Sequence, residues 1–210
     1  MKRIGVLNEV LPYALACIIL FSLSFFYWRP LSIGFLILFV FSIFFFRDPQ
    51  RYIPHTRDVI LAPADGKVVG IEGIDNHPLL EKPATKIDIV LSLLDVHINR
   101  APVEGVVKKS IYSKGKKFPA KWDRAQSRNE KNHIVIEGKD FTVIVTQIAG
   151  IVARRIVQWV DEGNKVSLGE KIGMIKFSSR TEIIFPNNVQ VLARRGQKVK
   201  AGETILGVLK

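Results

Sequence analysis

The chain has 210 residues, and its 31 lysines and arginines against 19 aspartates and glutamates give a net charge of +12 at pH 7. This length allows one folded domain together with a membrane anchor. Cys17 is the only cysteine, which excludes an intrachain disulfide and is compatible with a reducing compartment.

The first 47 residues are predicted to form a membrane anchor. They contain two apolar runs, Val10–Trp28 and Leu31–Phe46, whose lengths are close to the roughly 17–25 helical residues that cross a bilayer core. One charge, Arg29, separates the runs and is followed by Pro30, which marks a turn. A signal peptide is a poor alternative, because the first run is followed by a second run and not by a small-residue cleavage site. We expect a helical hairpin or a paired interfacial anchor, and the shorter second run leaves an in-plane placement open.

Basic residues at both ends of the anchor predict the side on which the rest of the chain lies. Lys2 and Arg3 precede the first run, and Arg47, Arg51 and Arg57 follow the second. Positively charged segments next to membrane helices tend to stay in the cytoplasm, so both ends of the hairpin should be cytoplasmic. We therefore expect the protein at the cell membrane, with residues 48–210 as a domain on the cytoplasmic side.

From Asp58 onward the pattern is rich in strands. Short apolar runs alternate with turns that contain glycine, proline or asparagine, which is typical of a compact sheet or barrel. One helix is predicted over residues 148–165, where apolar residues recur at helical spacing and Gly163 marks the end. Residues 120–132 are predicted as a polar loop or short helix.

An internal repeat indicates the architecture of this domain. The pattern G-x-x-V-x-x-G-E occurs at Gly163–Glu170 and again at Gly196–Glu203, 33 residues later. Glycine supplies turns of positive φ, and valine supplies a buried strand position. We therefore predict an α+β protein: a flattened barrel of the lipoyl or biotinyl type, preceded by the apolar helical hairpin.

Positive charge is concentrated in one segment that follows a predicted strand. Nucleic-acid binding would explain such a cluster, but no recognition-helix motif accompanies it, and a solvated loop is a further alternative. Near a membrane anchor, basic clusters attract anionic lipid head groups. We expect an anionic membrane surface and no nucleic acid as the partner of Lys108, Lys109, Lys114, Lys116, Lys117 and Lys121.

Five motifs, in order along nearly the whole chain, resemble the short class of phosphatidylserine decarboxylase proenzymes. The archaeal counterpart, which acts on archaetidylserine, is similar enough that these motifs do not separate the two. The motifs are FFRDPQRYIP (45–54), APADGKVV (62–69), LLDVHINRAPVEGVV (93–107), QIAGIVARRIV (147–157) and KFSSRTEIIFP (176–186).

This resemblance implies a pyruvoyl-dependent lyase made as a zymogen. Ser179 Oγ would attack the carbonyl of Ser178, and elimination would split the chain into a β chain, 1–178, and an α chain, 179–210. Ser179 would become a covalent pyruvoyl group, which takes up the electrons released when phosphatidylserine loses CO2 to give phosphatidylethanolamine. The two fragments would stay together as a heterodimer, with a homodimer of this unit left open.

The resemblance also implies roles for individual side chains. Asp65 matches the aspartate needed for self-cleavage, and His97 matches the histidine of the decarboxylation step. An imidazole that titrates near neutral pH suits proton transfer to the substrate. No metal is expected. Arginines that could contact the lipid phosphate are Arg154, Arg155 and Arg180.

Two positions depart from the family pattern. Ser178 stands where the family usually has glycine; its carbonyl reacts and its side chain does not, but a positive φ there would disfavour serine. Arg100 stands where longer members carry a second histidine implicated in self-cleavage, and arginine cannot serve as a base. His97 could then act in both reactions, or Asp65 could act with another residue such as His133.

Three alternative interpretations of these motifs remain open. Ser178 and Ser179, considered locally, are typical of a solvated turn. The Asp-Gly of APADGKVV would also suit a metallopeptidase, but the remaining histidines lack ligand spacing. The repeated glycine turns would suit a membrane adaptor without enzymatic activity, which predicts no cleavage.

Overall fold

A computed structural model of the chain describes residues 5–56, 58–116, 118–119, 122–150, 156–176 and 179–209. Three residues of the predicted site, Ser178, Arg154 and Arg155, lie outside these ranges. The structure divides into two compact units, Met1–Gln50 and Arg51–Lys210, and each is described by itself.

The first unit contains the predicted pair of apolar helices. Helix α1 spans Val6–Tyr27 and helix α2 spans Arg29–Phe45, with Trp28 in an extended conformation between them. The rings of Tyr13 and Phe46 stack with centroids 5.4 Å apart, so the start of α1 lies beside the end of α2 in an antiparallel hairpin. By length and composition α1, with 22 residues, could cross a membrane, whereas the apolar α2 has 17.

The second unit consists mainly of strands, which confirms the predicted α+β class. The elements are β1 (Val59–Leu61), β2 (Gly66–Ile74), β3 (Ala84–Leu91), β4 (Ile98–Arg100), β5 (Gly105–Ser113), α3 (Asp123–Arg128), β6 (Lys131–Glu137), β7 (Thr142–Ala149), β8 (Ile156–Gln158), β9 (Lys165–Val166), β10 (Lys171–Ile175), β11 (Ser179–Pro186), β12 (Val189–Val191), β13 (Lys198–Val199) and β14 (Ile205–Leu209). An eight-stranded sheet has the order β13-β2-β3-β11-β7-β6-β5-β9, and two three-stranded sheets have the orders β1-β14-β12 and β4-β10-β8. Neighbouring strands in these sheets are antiparallel.

The main hydrophobic core lies against one face of the curled eight-stranded sheet. Alternate residues of its central strands enter this core, as the two-residue period of a strand requires. In β11 these are Ile183 and Phe185, which pack in one cluster with Ile87 and Ile89 of β3. Strand β11 lies between β3 and β7, so its backbone is bonded on both sides.

The internal repeat predicted from the sequence is present as two equivalent turns. Gly163 and Gly196 adopt φ of 84° and 90°, and each donates its amide to a neighbouring strand, to Val107 O and Val68 O respectively, at 2.8 Å. Short strands β9 and β13 follow these turns and pair with β5 and β2. The repeat therefore closes the two ends of the eight-stranded sheet in the same manner.

The prediction of a helix over residues 148–165 was wrong. Ile148 and Ala149 end strand β7, residues 156–158 form β8, and residues 151–155 lie outside the described residues. The stretch is long enough for a helix, but Ile148 and Ala149 pair with β11 and residues 156–158 pair with β10. Sheet pairing therefore overrides the local helical spacing. Helix α3 lies within residues 120–132 and selects the short helix from the two alternatives, a polar loop or a short helix, that the sequence left open there.

Candidate active site

Ser179 opens the central strand of the sheet. As the first residue of β11 it pairs with Leu91 on β3 and with Ala149 on β7, and it is fully buried. Its Oγ has no hydrogen-bond partner among the described residues. A buried hydroxyl without a partner typically costs about 1–3 kcal/mol, so this position is not one that stability alone selects.

The two faces of β11 have different chemistry. Ser179 and Thr181 share the face of Ile183 and Phe185, which is the face of the main core. Arg180 and Glu182, in contrast, project to the other face. The candidate nucleophile and the candidate phosphate ligand Arg180 therefore lie on opposite sides of the sheet.

His97 directly precedes β4 and is fully buried. Its Nδ1 lies 2.9 Å from the carbonyl oxygen of Asp95. A carbonyl oxygen can only accept, so Nδ1 carries the hydrogen, and in the neutral ring Nε2 keeps the lone pair. This arrangement leaves Nε2 as the atom that can accept or return a proton.

Backbone pairing brings His97 to the same end of the domain as Ser179. Ile175, the last residue of β10, donates its amide to His97 O at 3.2 Å, and β11 begins four residues later at Ser179. Farther along both strands, Asn99 Nδ2 donates to Thr181 Oγ1 at 3.1 Å. Two residues of a strand cover roughly 7 Å. His97 comes two residues before Asn99, and Ser179 comes two residues before Thr181. Measured along its own strand, each therefore lies about that distance from the Asn99–Thr181 contact.

Asp65 lies at the same end of the sheet as Ser179, but its carboxyl group is bonded to other residues. Its Oδ2 accepts from Arg51 Nη2 and its Oδ1 from the backbone amide of Ala201, both at 2.8 Å. Asp65 directly precedes β2, and β3 lies between β2 and β11. Adjacent strands are roughly 4.8 Å apart, so two strand spacings separate Asp65 from the strand that carries Ser179.

Arg180 belongs to a buried cluster of charges on the face opposite Ser179. Its Nη2 lies 2.8 Å from Asp88 Oδ2, and both side chains are almost fully buried. Glu182 is the direct cross-strand partner of Asp88. Burial, and then the negative charge of Asp88, raise the pKa of Glu182 to about 7.

A cavity of about 1100 Å³ opens on this face. Its wall contains Leu91, the strand partner of Ser179, and Arg180, the residue that follows Ser179. Basic side chains on its rim include Lys67, Arg195 and Lys198. Its lining also contains the acidic residues Asp65, Glu72, Asp88 and Asp95, so the cavity presents groups of both charges and reaches the end of the sheet where Ser179 lies.

The structure gives other sequence-predicted residues different surroundings. Arg100 donates from Nη1 to the carbonyl oxygen of Gly169 at 3.0 Å, which ties β4 to a turn of the repeat. His133 shares a hydrogen bond of 2.8 Å with Thr146 Oγ1, and Thr146 pairs with Glu182, so His133 lies on the face opposite Ser179. In the lysine-rich segment, Lys108 forms an ion pair of 2.7 Å with Glu137.

Sequence reasoning missed a set of buried amides next to the site. Asn99, Gln147 and Asn132 are at most 1% exposed and are linked to one another by hydrogen bonds. A signal for them exists, because Gln147 and Asn132 continue the core-facing phase of β7 and β6, where the other members are aliphatic. A polar residue in that phase indicates a buried network rather than a surface position.

Comparison with known proteins identifies relatives along most of the chain. The family model described as phosphatidylserine decarboxylase matches residues 38–207. A phosphatidylserine decarboxylase proenzyme of Carboxydothermus hydrogenoformans is 46% identical over 83% of this chain and 82% of its own. Proenzymes of the same name from Syntrophus aciditrophicus and Desulfotalea psychrophila are 44% and 39% identical, over 80% and 84% of this chain and 79% and 83% of theirs.

Proposed function

The chain belongs to the phosphatidylserine decarboxylase family, and from that membership we propose that it is a membrane-bound carboxy-lyase that converts phosphatidylserine to phosphatidylethanolamine. It cuts itself between Ser178 and Ser179 and carries a pyruvoyl group made from Ser179. The observation that carries this proposal is the fully buried Ser179 Oγ, without a hydrogen-bond partner among the described residues, at the start of the central strand.

The surroundings of Ser179 fit the self-cleavage reaction. Oγ attacks the carbonyl carbon of Ser178, the peptide C–N bond breaks, and an ester with a free amine at Ser179 results. A base then takes the α-proton of Ser179, and the Cβ–O bond breaks so that residue 178 leaves as a carboxylate. The unsaturated residue takes up water and releases ammonia, which leaves a ketone at the start of fragment 179–210. The buried Oγ, which has no hydrogen-bond partner among the described residues, gives up no hydrogen bond to them when it attacks.

The ketone supplies an electrophile that reacts with the substrate amine and accepts electrons as CO2 leaves. His97 is proposed to protonate the carbon that has lost CO2. Its Nδ1 hydrogen is bound by Asp95 O, so Nε2 is the atom that exchanges the proton. This fixed tautomer supports a role in proton transfer, because the ring is held in one orientation.

Asp65 is proposed to support self-cleavage. Its carboxyl group is bonded to Arg51 and to the amide of Ala201, so in this arrangement it is held in place. Removal of the α-proton by Asp65 itself would require this side chain to leave Arg51. The alternative role of Asp65 is to position the loop that contains it, and the variants Asp65→Asn and Arg51→Gln distinguish the two roles.

The lipid headgroup is proposed to enter through the cavity bordered by Leu91 and Arg180. Its phosphate would meet the basic side chains of the cavity lining. Arg180, which is buried and paired with Asp88, would contact the phosphate only after leaving that carboxylate, and Arg154 and Arg155 are further candidates outside the described residues. The headgroup chemistry does not depend on the lipid tails, so an ether lipid with the same serine headgroup is the alternative substrate. Assays with both lipids separate these cases.

The apolar hairpin is proposed to hold the enzyme at the cell membrane, with residues 48–210 on the cytoplasmic side. Helix α1 is about 33 Å long at 1.5 Å per residue, which matches the roughly 30 Å hydrocarbon core. Basic residues at both ends of the hairpin support this orientation. Protease treatment of intact and opened cells tests it, since the cytoplasmic domain should be cut in opened cells alone.

The proposed function is tested by intact mass spectrometry of the purified protein, with and without reductive amination. We expect a fragment of residues 179–210 that starts with a reducible carbonyl, and release of CO2 from phosphatidylserine. Ser179→Ala should stay uncut, while Ser178→Ala, the matched control, should still cleave because only the carbonyl of residue 178 reacts. An uncut chain of 23.7 kDa that stays uncut after Ser178→Gly would refute the proposal.

A further inference from the structure

Asn99 lies where the three segments that carry the candidate catalytic residues meet. It is fully buried in β4, two residues after His97. Its Nδ2 donates to Thr181 Oγ1 at 3.1 Å and to Pro63 O at 3.2 Å. Thr181 is two residues after Ser179 on β11, and Pro63 is two residues before Asp65. One amide thus joins the strand of Ser179, the strand of His97 and the loop of Asp65.

The orientation of this amide is fixed by its neighbours. Gln147 Nε2 donates to Asn99 Oδ1 at 2.8 Å, and Asn132 Nδ2 donates to Gln147 Oε1 at 3.2 Å. With its oxygen committed as an acceptor, Asn99 must present both hydrogens of Nδ2 to Pro63 and Thr181. Gly173 pairs with Asn99 and leaves room for this arrangement, since a Cβ there would lie 2.9 Å from Gln147 Nε2.

Neither donor bond of Asn99 is part of a strand ladder. β4 and β11 belong to different sheets, so their backbones make no ladder with each other. The contact between the side chains of Asn99 and Thr181 therefore bridges two sheets close to the end at which His97 and Ser179 lie. A side-chain bond at this place sets the distance between the elements of His97 and Ser179, and misplacement of reacting groups by about 1 Å can cost about 100-fold in rate.

We propose that Asn99 is a positioning residue for self-cleavage: it holds the strand of Ser179 in register with the loop of Asp65 and the strand of His97. The inference rests on the proposed function, since it concerns the same cleavage at Ser179. Among the described residues the side chain of Asn99 bonds to Pro63, Thr181 and Gln147, so its effect on the reaction is transmitted through Thr181 and Pro63. Loss of its two donors should slow self-cleavage more than it lowers stability.

The test compares two isosteric changes at buried amides. Asn99→Asp removes both donors from the junction, and Asn129→Asp makes the same chemical change at an equally buried amide whose side chain bonds to Phe118 and Ala149 and lies outside the Asn99–Gln147–Asn132 network. Cleavage is followed after a pulse of labelled amino acid in a cell-free system with vesicles. Melting temperatures are measured in the uncut Ser179→Ala background, so that the same species is compared.

We expect Asn99→Asp to slow cleavage at least tenfold relative to Asn129→Asp, at similar melting temperatures. Equal slowing by both changes, or cleavage of Asn99→Asp at the wild-type rate, would overturn the inference.

A second pair of variants, both at Thr181, tests the same bond if Asn99→Asp does not fold. Thr181→Val keeps the shape of the side chain but removes the oxygen that accepts from Asn99, and Thr181→Ser restores that oxygen without the methyl group. We expect slow cleavage for the valine variant and near-normal cleavage for the serine variant. The reverse order would show that packing, not the bond to Asn99, matters. A wild-type chain that never cleaves, and that stays uncut after Ser178→Gly, would instead refute the proposed function and this inference together with it.

Discussion

Arg51 Nη2 lies 2.8 Å from Asp65 Oδ2, and the two side chains are only 5% and 13% exposed. The other carboxylate oxygen of Asp65 accepts from the amide of Ala201, which belongs to the turn of the second glycine repeat. Asp65 thus joins three segments that are far apart in sequence. A carboxylate bound in this way can contribute to self-cleavage by its charge or by the loop that it fixes, and the two roles predict different mutants.

Asp65→Asn keeps an oxygen for the amide of Ala201 but removes the charge, and we expect self-cleavage to slow about 100-fold or more if the carboxylate takes part in proton transfer. Arg51→Gln is the matched control, because it removes the ion pair but keeps the carboxyl group of Asp65. It should lower stability by about 3 kcal/mol, as does the loss of one partner of a buried ion pair, while cleavage continues. Cleavage time courses and thermal melts measure both quantities. Equal slowing by both variants would mean that the ion pair acts only by holding the loop.

His97→Gln should separate the two reactions of the enzyme. The variant keeps a side chain of similar reach but cannot transfer a proton, so CO2 release should fall about 100-fold to 10,000-fold. Cleavage should persist if His97 serves decarboxylation alone. His133→Gln is the control, since His133 lies on the opposite face of the sheet and should leave CO2 release unchanged. Loss of cleavage in His97→Gln would show that this histidine serves both reactions.

Much of the fold could be predicted because it depends on simple patterns. The lengths of the two apolar runs predicted α1 and α2, and the spacing of glycine and valine predicted the two equivalent turns at Gly163 and Gly196. The helix over residues 148–165 failed for a physical reason. Strand β7 is bonded on both sides, and local periodicity contains no information about partners distant in sequence.

The surroundings of the site were harder to predict than its residues. Motif resemblance pointed to Ser179, His97 and Asp65, but the partners of these residues depend on tertiary contacts. The bond from Asn99 to Thr181 joins residues 82 positions apart. Only the phase of Thr181, in line with buried Ile183 and Phe185, indicated that a polar side chain enters the core there.

Ser178→Gly tests whether the departure from the family pattern slows the enzyme. If the turn before Ser179 requires a positive φ, a serine there costs about 1–2 kcal/mol, whereas glycine adopts this conformation freely. We therefore expect the glycine variant to cleave about tenfold faster than the wild type. Ser178→Ala controls for the hydroxyl, since it removes the oxygen but keeps the Cβ. Cleavage of all three chains at one rate would contradict a requirement for positive φ.

Glu182 should make the stability of the folded proenzyme depend on pH. Burial, and then the negative charge of Asp88 on the neighbouring strand, raise the pKa of Glu182 to about 7 from an ordinary value of 4.5, although three positive groups oppose the shift: Lys86, Arg180 and Lys131. Between these two pH values the folded chain keeps a proton that the unfolded chain has released. Stability from this group is therefore complete below about pH 4.5 and is lost as the pH rises towards 7, by up to about 3 kcal/mol.

Glu182→Gln cannot titrate, so we expect it to match the wild type near pH 5 and to exceed it in melting temperature near pH 8. Both chains are measured in the Ser179→Ala background, which keeps them uncut. Glu72→Gln is the control, and its effect on melting temperature should have the opposite sign. The hydrogen bond and charge of Lys86 lower the pKa of Glu72, so the ionised form of Glu72 stabilises the fold as the pH rises. A difference between Glu182→Gln and the wild type that is the same at pH 5 and pH 8 would contradict a raised pKa, because only a proton held by the folded state makes this difference vary with pH.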